Sequence, residues 1–243
     1  MSRYAIIDTR MSEKCKKSLE CLDLQLIEVP LNPNLDYPIS AHPDIFMFVH
    51  EKNIIMEESV YNYLEKHLFD FGNKGYAIQK GRTFLPKTEY PYDCAYNFAV
   101  CGNHLIGNMC CAAPELKSYA DENGMDIINV KQGYSKCNIC VVSDNAIITE
   151  DSGISKECRK YGIDVLLLKT KSIKLNGYDN GFIGGATGVL DYTNSKSKKI
   201  LFAGNVQNHP EYCDINLFCN KYGAELVSMS DEDLYDYGSI IVI

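Results

Sequence analysis

The sequence predicts an α/β fold in which five ββαβ units close into a five-bladed propeller, one domain spanning residues 1–243. Two observations lead there. A strand–turn–strand–helix–strand pattern of about 35 residues recurs along the chain, the mark of a repeat architecture. One copy is divided between the two termini, and a repeat shared by both ends of a chain seals a ring.

The pattern is plainest around residue 140. There "CNICVV" alternates as a strand, "SDN" turns, and "AIITED" is a second strand. "SGISKECRKYG" then reads as a helix opened by Asp151 or Ser152 and stopped by Gly162, followed by the buried strand "IDVLLLK". Upstream, "AYNFAVCGNHLIGN" is a strand pair around Gly102-Asn103, with a helix from Pro114 to Asn123 and the strand "DIINV". Earlier, "HPDIFMFVHEKNIIMEES" turns at Glu51–Asn53 and leads into the helical "VYNYLEKHLFDF" and the strand "GYAIQK". Downstream, "GGATGVLDY" and "KKILFAGN" form a hairpin with a long tip, completed by "HPEYCDINLFCNKYG" and "AELVSM". The N-terminus offers a strand "RYAIIDTR", a helix over 11–20 and the strand "LQLIEVP", and "YGSIIVI" at the C-terminus supplies the missing first strand.

Composition narrows the function classes. With 46% hydrophobic and 23% charged residues the chain is of ordinary globular make-up, and it is long enough to bury a sizeable core. Runs such as Val165–Leu168 fall far short of the ~20 residues of a membrane helix, and "MSRYAIIDTR" reads as a strand rather than a secretory signal. Neither a membrane nor an exported location is expected, which leaves the cytoplasm. The net charge of −8 argues against nucleic acid as a partner, since such a binder needs a basic face to displace counterions from phosphates. The one basic run, "KSKK" at 196–199, is expected to be a solvated hairpin tip. Eleven cysteines in a cytoplasmic chain are expected as reduced thiols, with Cys15, Cys21, Cys213 and Cys219 serving as small buried hydrophobes.

Aligning the hairpins places Asp44, Asn97, Asn138, Thr187 and Ser239 at corresponding positions on the five innermost strands. A polar residue inside an apolar strand must find a partner or face water. Five of them converging on one axis either line a polar channel or satisfy backbone groups around it.

The ββαβ pattern in five copies, with "HPDIFMF", "YPYDCAYNFAV", "QGYSKCNICVVSDNAIITED", "GFIGGATG" and "DLYDYGSIIVI", resembles the pentein superfamily of guanidino-group-modifying enzymes, most of all a bacterial branch of clostridial type. That superfamily's fold is shared with a non-catalytic ribosome anti-association initiation factor. The resemblance covers essentially the whole chain and implies the pentein fold. It also implies a cysteine nucleophile on the inner strand nearest the C-terminus, a histidine acid/base and carboxylates that hold the guanidinium. A thiolate attacks well only if its pKa is lowered, and a planar cation needs carboxylates to orient it. Here the last inner strand reads Tyr237-Gly238-Ser239-Ile240, without cysteine, and the preceding unit reads Gly184-Gly185-Ala186-Thr187-Gly188, without histidine. Ser239 lacks an evident base.

Other candidates follow from residue type. His42-Pro43-Asp44 brings a histidine next to a carboxylate on a rigid approach, suited to a base, a ligand or merely a surface cap. His209-Pro210-Glu211 carries ordinary helix-start signals. "GFIGGATG" has neither P-loop nor dinucleotide spacing, so its glycines are expected to permit close backbone approach. Cys137-Asn-Ile-Cys140 has C-x-x-C spacing, but in a regular strand its sulfurs face opposite sides and cannot chelate one ion. No metal site and no cofactor are expected. Cys140 shares a strand face with Asn138, which makes it the candidate for a relocated nucleophile, with His42 beside it as the possible catalytic histidine.

Two functional readings result. In the first, the central channel binds a small polar ligand of guanidino or amidino type through Asp44, Asn97, Asn138, Thr187 and Ser239, and any activity is that of a divergent amidinotransferase- or deiminase-like hydrolase. In the second, the fold is a non-catalytic module that binds a protein partner.

Overall fold

The structure is a computed structural model and describes residues 3–82, 90–191 and 198–243. Its strands form five separate three-stranded sheets. The first unit contains β1 (Arg3–Asp8), α1 (Glu13–Glu20) and β2 (Leu24–Val29). The second contains a helical turn α2 (Pro43–Phe46), β3 (Met47–His50), β4 (Asn53–Met56), α3 (Glu58–Tyr63), α4 (Glu65–Asn73) and β5 (Ala77–Lys80). The third is β6 (Ala99–Cys101), β7 (His104–Gly107), α5 (Pro114–Glu122) and β8 (Asp126–Asn129). The fourth is a turn α6 (Ser135–Asn138), β9 (Ile139–Ser143), β10 (Ala146–Thr149), α7 (Ser152–Lys160) and β11 (Asp164–Leu167). The fifth is β12 (Thr187–Leu190), β13 (Lys199–Phe202), α8 (Tyr212–Lys221) and β14 (Glu225–Ser228), and the chain ends in β15 (Ile241–Val242).

Each sheet has the same order. A hairpin is antiparallel, and the helix returns the chain parallel to the middle strand, as in β9-β10-β11 with Ile148 opposite both Cys140 and Leu166. The first sheet is completed from the other end of the chain, with Ala5 opposite Val242 and mutual backbone bonds between Tyr4 and Ile243 at 2.8 and 2.9 Å. The middle strands are almost wholly apolar because both of their faces are covered. β10 reads Ala-Ile-Ile-Thr, all buried, with Ile147 packed among residues of the third sheet and α7 and Ile148 among residues of the fifth sheet and α8. The basic tip expected at 196–199 falls partly on residues 192–197, outside the described residues.

Local signals explain the helices. Ser12 caps α1 by accepting from the Cys15 amide, and Asp151 caps α7 by accepting from Ile154 at 2.8 Å. After α1, α4, α5, α7 and α8, the helices that lead into the last strand of each sheet, the chain reverses through the left-handed region. Gly162 serves at φ 79° behind α7, and in the first unit Asp23 takes the same role at φ 59°, at a modest conformational cost.

Two expectations about cysteines change. Cys15 and Cys219 are buried, whereas Cys21 and Cys213 are exposed. Members of each pair are six residues apart, and at ~100° per residue this turns a side chain about two-thirds of a turn away from its partner's face. All eleven thiols are free.

The inner strands β15, β3, β6, β9 and β12 jointly line one cavity. β6 lies against β9, β9 against β12, and β12 against β15, where Gly188 bridges to Ile240. A Cβ on Gly188 would stand 2.2 Å from the Ile240 carbonyl oxygen, and one on Gly184 would stand 2.4 Å from that of Lys136. The glycine-rich "GFIGGATG" therefore serves close approach between neighbouring units. No helix among the described residues is long and apolar enough to cross a membrane.

Candidate functional site

The cavity encloses about 860 Å³. Its walls are mixed: Met47, Val49, Phe98, Val141, Val189 and Ile241 supply apolar surface, and the hairpin tips at one end carry Glu51, Asn103, Asp144 and Lys198. At the other end lie Asp44, Lys136 and Thr187, just ahead of or at the start of the inner strands.

A buried polar network is built around Asp44. Ser239 Oγ donates to Asp44 Oδ2 at 2.7 Å and accepts from Lys136 Nζ at 2.9 Å, so one hydroxyl joins an acid to a base. Cys137 Sγ lies 3.1 and 3.2 Å from the two Asp44 oxygens, its thiol donating to the carboxylate. Asn97 Nδ2 donates to the Asp44 carbonyl at 3.0 Å and to Cys137 Sγ at 3.2 Å. Asn97 Oδ1 in turn accepts from the Lys136 amide at 2.7 Å. Ser239 reaches this position only with φ at 72°, unfavourable for a residue with a Cβ. Its amide bond to the Gly185 carbonyl, 2.8 Å, helps to hold it there.

Burial pushes the Asp44 carboxyl above its ordinary range, against the pull of the Lys136 ammonium and the bonds from Ser239, Cys137 and Asn97. Burial, then the Asp44 and Asp236 charges, drive the Cys137 thiol well above the usual thiol range, so it is held protonated. Behind this network sits His42, buried at the start of α2, its ring nitrogens 3.8 Å from Asp236 and 3.9 Å from Asp8. Burial and the nearby Arg10 guanidinium pull its pKa down to about 3. The imidazole is neutral at pH 7, and these proximities are not ion pairs. Neither ring nitrogen has a hydrogen-bond partner, at a cost of about 1–3 kcal/mol for each buried unsatisfied group. Asp236 accepts from the Phe182 and Gly238 amides, both at 2.9 Å, yet burial and the Asp44 charge push it up to about 8. Asp8 is paired with Arg10 at 2.5 Å, and Arg10 also donates to the carbonyls of Tyr37 and Pro38.

The structure brings Asp44, Asn97 and Ser239 together, and it places Thr187 at the cavity but bonded to the Gly184 carbonyl. Asn138 is not in the network; its amide bonds to the Tyr134 carbonyl at 3.2 Å. Residues 135–138 form a helical turn, so the strand begins at Ile139 and the face shared by Asn138 and Cys140 does not exist. Val141 faces the cavity instead. Cys140 packs among Ile148, Ile183 and Phe202 in an apolar cluster, which pushes its thiol up to about 11. Cys137, on the turn, faces the polar network, so the two cysteines have separate surroundings and do not act as a pair. Lys136 and Asp236 carry no signal that singles them out in the sequence, and Cys137 is visible there only through its C-x-x-C spacing. Cys137 stands two residues ahead of its inner strand, as Asn97 and Ser239 do, and that offset was the available signal.

Comparison with solved structures returns the same architecture. Agmatine deiminase of C. jejuni superposes with a TM-score of 0.53 at 10% identity, covering 94% of this chain and 87% of that one. SxtG, an amidinotransferase from Microseira wollei in the saxitoxin biosynthetic pathway, gives 0.53 at 11% identity, over 93% and 88%. The N-terminal domain of ArgZ, a cyanobacterial arginine dihydrolase, gives 0.51 at 10% identity, over 94% and 91%. At such identities the likeness is one of fold, that of the pentein-type enzymes. No curated protein matches the sequence. The profile of a family of unknown function (DUF6873) matches residues 6–241, and to that family, on the pentein fold, this chain belongs.

Proposed function

We propose that the five sheets close into a five-bladed α/β propeller whose central cavity binds a small polar ligand of guanidino or amidino class. The observation that carries this reading is the cavity of about 860 Å³ ending on the Asp44–Ser239–Lys136 network. Small-molecule sites are concave, mostly apolar and furnished with a few converging polar groups. Asp44 is suited to a cationic head and Lys136 to an anionic one, so the favoured ligand is zwitterionic, a guanidino acid rather than a bare guanidine. The relatives in the comparison include an agmatine deiminase and an amidinotransferase, which supports that class. Binding is favoured over turnover because the Cys137 thiol is held protonated and Cys140 lies in the apolar core. A cytoplasmic setting belongs to the same reading, consistent with eleven free thiols.

Calorimetry and thermal shift with arginine, guanidinoacetate and agmatine test this. Guanidino acids are expected to bind and to raise the melting temperature, since a ligand of the native state stabilises it. Lys136→Met should weaken the guanidino acids by about tenfold or more through loss of a charge-assisted bond, and leave agmatine unchanged. No heat and no shift from any of the three would remove the reading.

A second reading, a protein-binding module, is favoured by exposed tyrosines on the loops between units. Tyr37 and Tyr92 are 68% and 65% exposed, and Tyr178 reaches Asp36 on the loop that carries Tyr37. Aromatic residues are enriched at interfaces. Loss of partner capture in a Tyr37→Ser/Tyr92→Ser variant, with capture intact in Lys136→Met, would select it.

A further inference from the structure

His42 is unusual in being wholly buried with both ring nitrogens unpartnered. One of those nitrogens, Cys137 Sγ and an Asp44 oxygen lie within 4.8 Å of one another. We propose that His42, Asp44 and Cys137 form a binding site for a divalent transition-metal ion of the zinc class, set behind the end of the central cavity.

The donor set suits such an ion. Imidazole nitrogen, carboxylate oxygen and thiolate sulfur are all zinc ligands, at about 2.0–2.3 Å from the metal. Ligands on a tetrahedral ion at those lengths stand roughly 3.3–3.8 Å apart, so a small inward shift of the imidazole completes the triangle. Cys137 and Asp44 are already 3.1 Å apart, with a thiol proton between them. The ion takes the place of that proton, which passes to the solvent as the sulfur–metal bond forms, and a neutral imidazole gives its lone pair with no proton to lose.

The surroundings are those that orient metal ligands. Asn97 Nδ2 points at the sulfur from 3.2 Å and Ser239 Oγ holds the second oxygen of Asp44 at 2.7 Å. Asp236 faces Nδ1 of His42 and Asp8 faces Nε2, so whichever nitrogen takes the ion, the other N–H points toward a carboxylate. His42 is seated by Gly238, where a Cβ would stand 2.2 Å from that of His42. Asp44 borders the cavity, the side from which an ion would enter. Among the described residues, no other group of three such side chains comes together. The proposal does not rest on the ligand reading, and it is tested without any small organic molecule.

Cobalt(II) titration of the purified, metal-stripped full chain is the experiment. One equivalent should bind with visible absorption of tetrahedral type and a near-ultraviolet band from thiolate to cobalt. Cys137→Ser should abolish the thiolate band, His42→Asn should weaken binding at least tenfold, by about 1.4 kcal/mol or more, and Cys140→Ser should change neither. Should Cys137→Ser fail to fold, wild-type crystals grown with Zn²⁺ should show an anomalous-scattering peak between the three side chains. A thiolate band that survives Cys137→Ser, metal found only at the exposed Cys21, Cys110 or Cys213, or no retained metal would overturn the proposal.

Discussion

In Asp44 and Glu150 burial is the largest influence on the carboxyl group, and it outweighs the neighbours that favour ionisation. Glu150, mostly buried, has one oxygen bonded to the Ile183 amide and the other unpartnered, and burial pushes its pKa from 4.5 up to about 7. In the unfolded chain the group ionises near 4.5. Between pH 4.5 and 7 the folded state thus holds the proton that the unfolded state has released, and stability falls as pH rises through that window. The full loss is on the order of 3 kcal/mol, because each pH unit crossed in that window removes about 1.36 kcal/mol. Glu150→Gln keeps an acceptor for Ile183 and cannot ionise. Its thermal unfolding should match the wild type near pH 4.5 and occur at higher temperature at about pH 8. An equal change at both pH values would contradict the assignment. Cys137 illustrates legibility at the same scale. Its C-x-x-C spacing was visible and uninformative, whereas its place two residues ahead of an inner strand decides its contacts, and that place depends on where the strand begins.

At the scale of elements, the helices and hairpins are closely legible in the sequence, because caps, turns and period-2 alternation are local. α7 is expected to open at Asp151 or Ser152, and Asp151 is the cap. Asp151→Ala should lower stability by about 1 kcal/mol in urea unfolding while leaving ligand and metal binding unchanged, since the cap faces away from the cavity network. A loss under about 0.3 kcal/mol would mean water replaces the cap without penalty. The short helical turns α2 and α6 ahead of β3 and β9 read as strand in the sequence. Four residues carry too little periodicity to separate a turn of helix from a strand, and these turns are set by bonds across units, such as the Lys136 amide to Asn97. That misreading puts Asn138 and Cys140 on the wrong face.

Across the whole molecule, the two chain ends share one sheet. β15 pairs with β1, and Ile240 and Ile243 are buried against the units they join. Deleting residues 240–243 removes two buried isoleucines, each worth about 1.5–3 kcal/mol of transfer free energy, along with the Tyr4–Ile243 bonds. The expected loss of roughly 3–6 kcal/mol should appear as a lowered urea midpoint, and it should reach the Asp44 network because Gly238 and Ser239 lose their anchor. An unchanged midpoint would mean the first sheet is stable with two strands.

By itself the sequence determined the five repeated units, their helices and hairpins and the shared sheet of the two ends, because periodicity, caps and turns act within a few residues. It also marked Asp44, Asn97 and Ser239 as polar groups that needed partners. Only the tertiary structure decided which partners those are. Asn97, Cys137 and Ser239 meet Asp44 from separate units, 53, 93 and 195 positions away in sequence. Their meeting follows from inner strands packed closely enough that Gly184 and Gly188 admit no side chain, and no local signal encodes a distance between units.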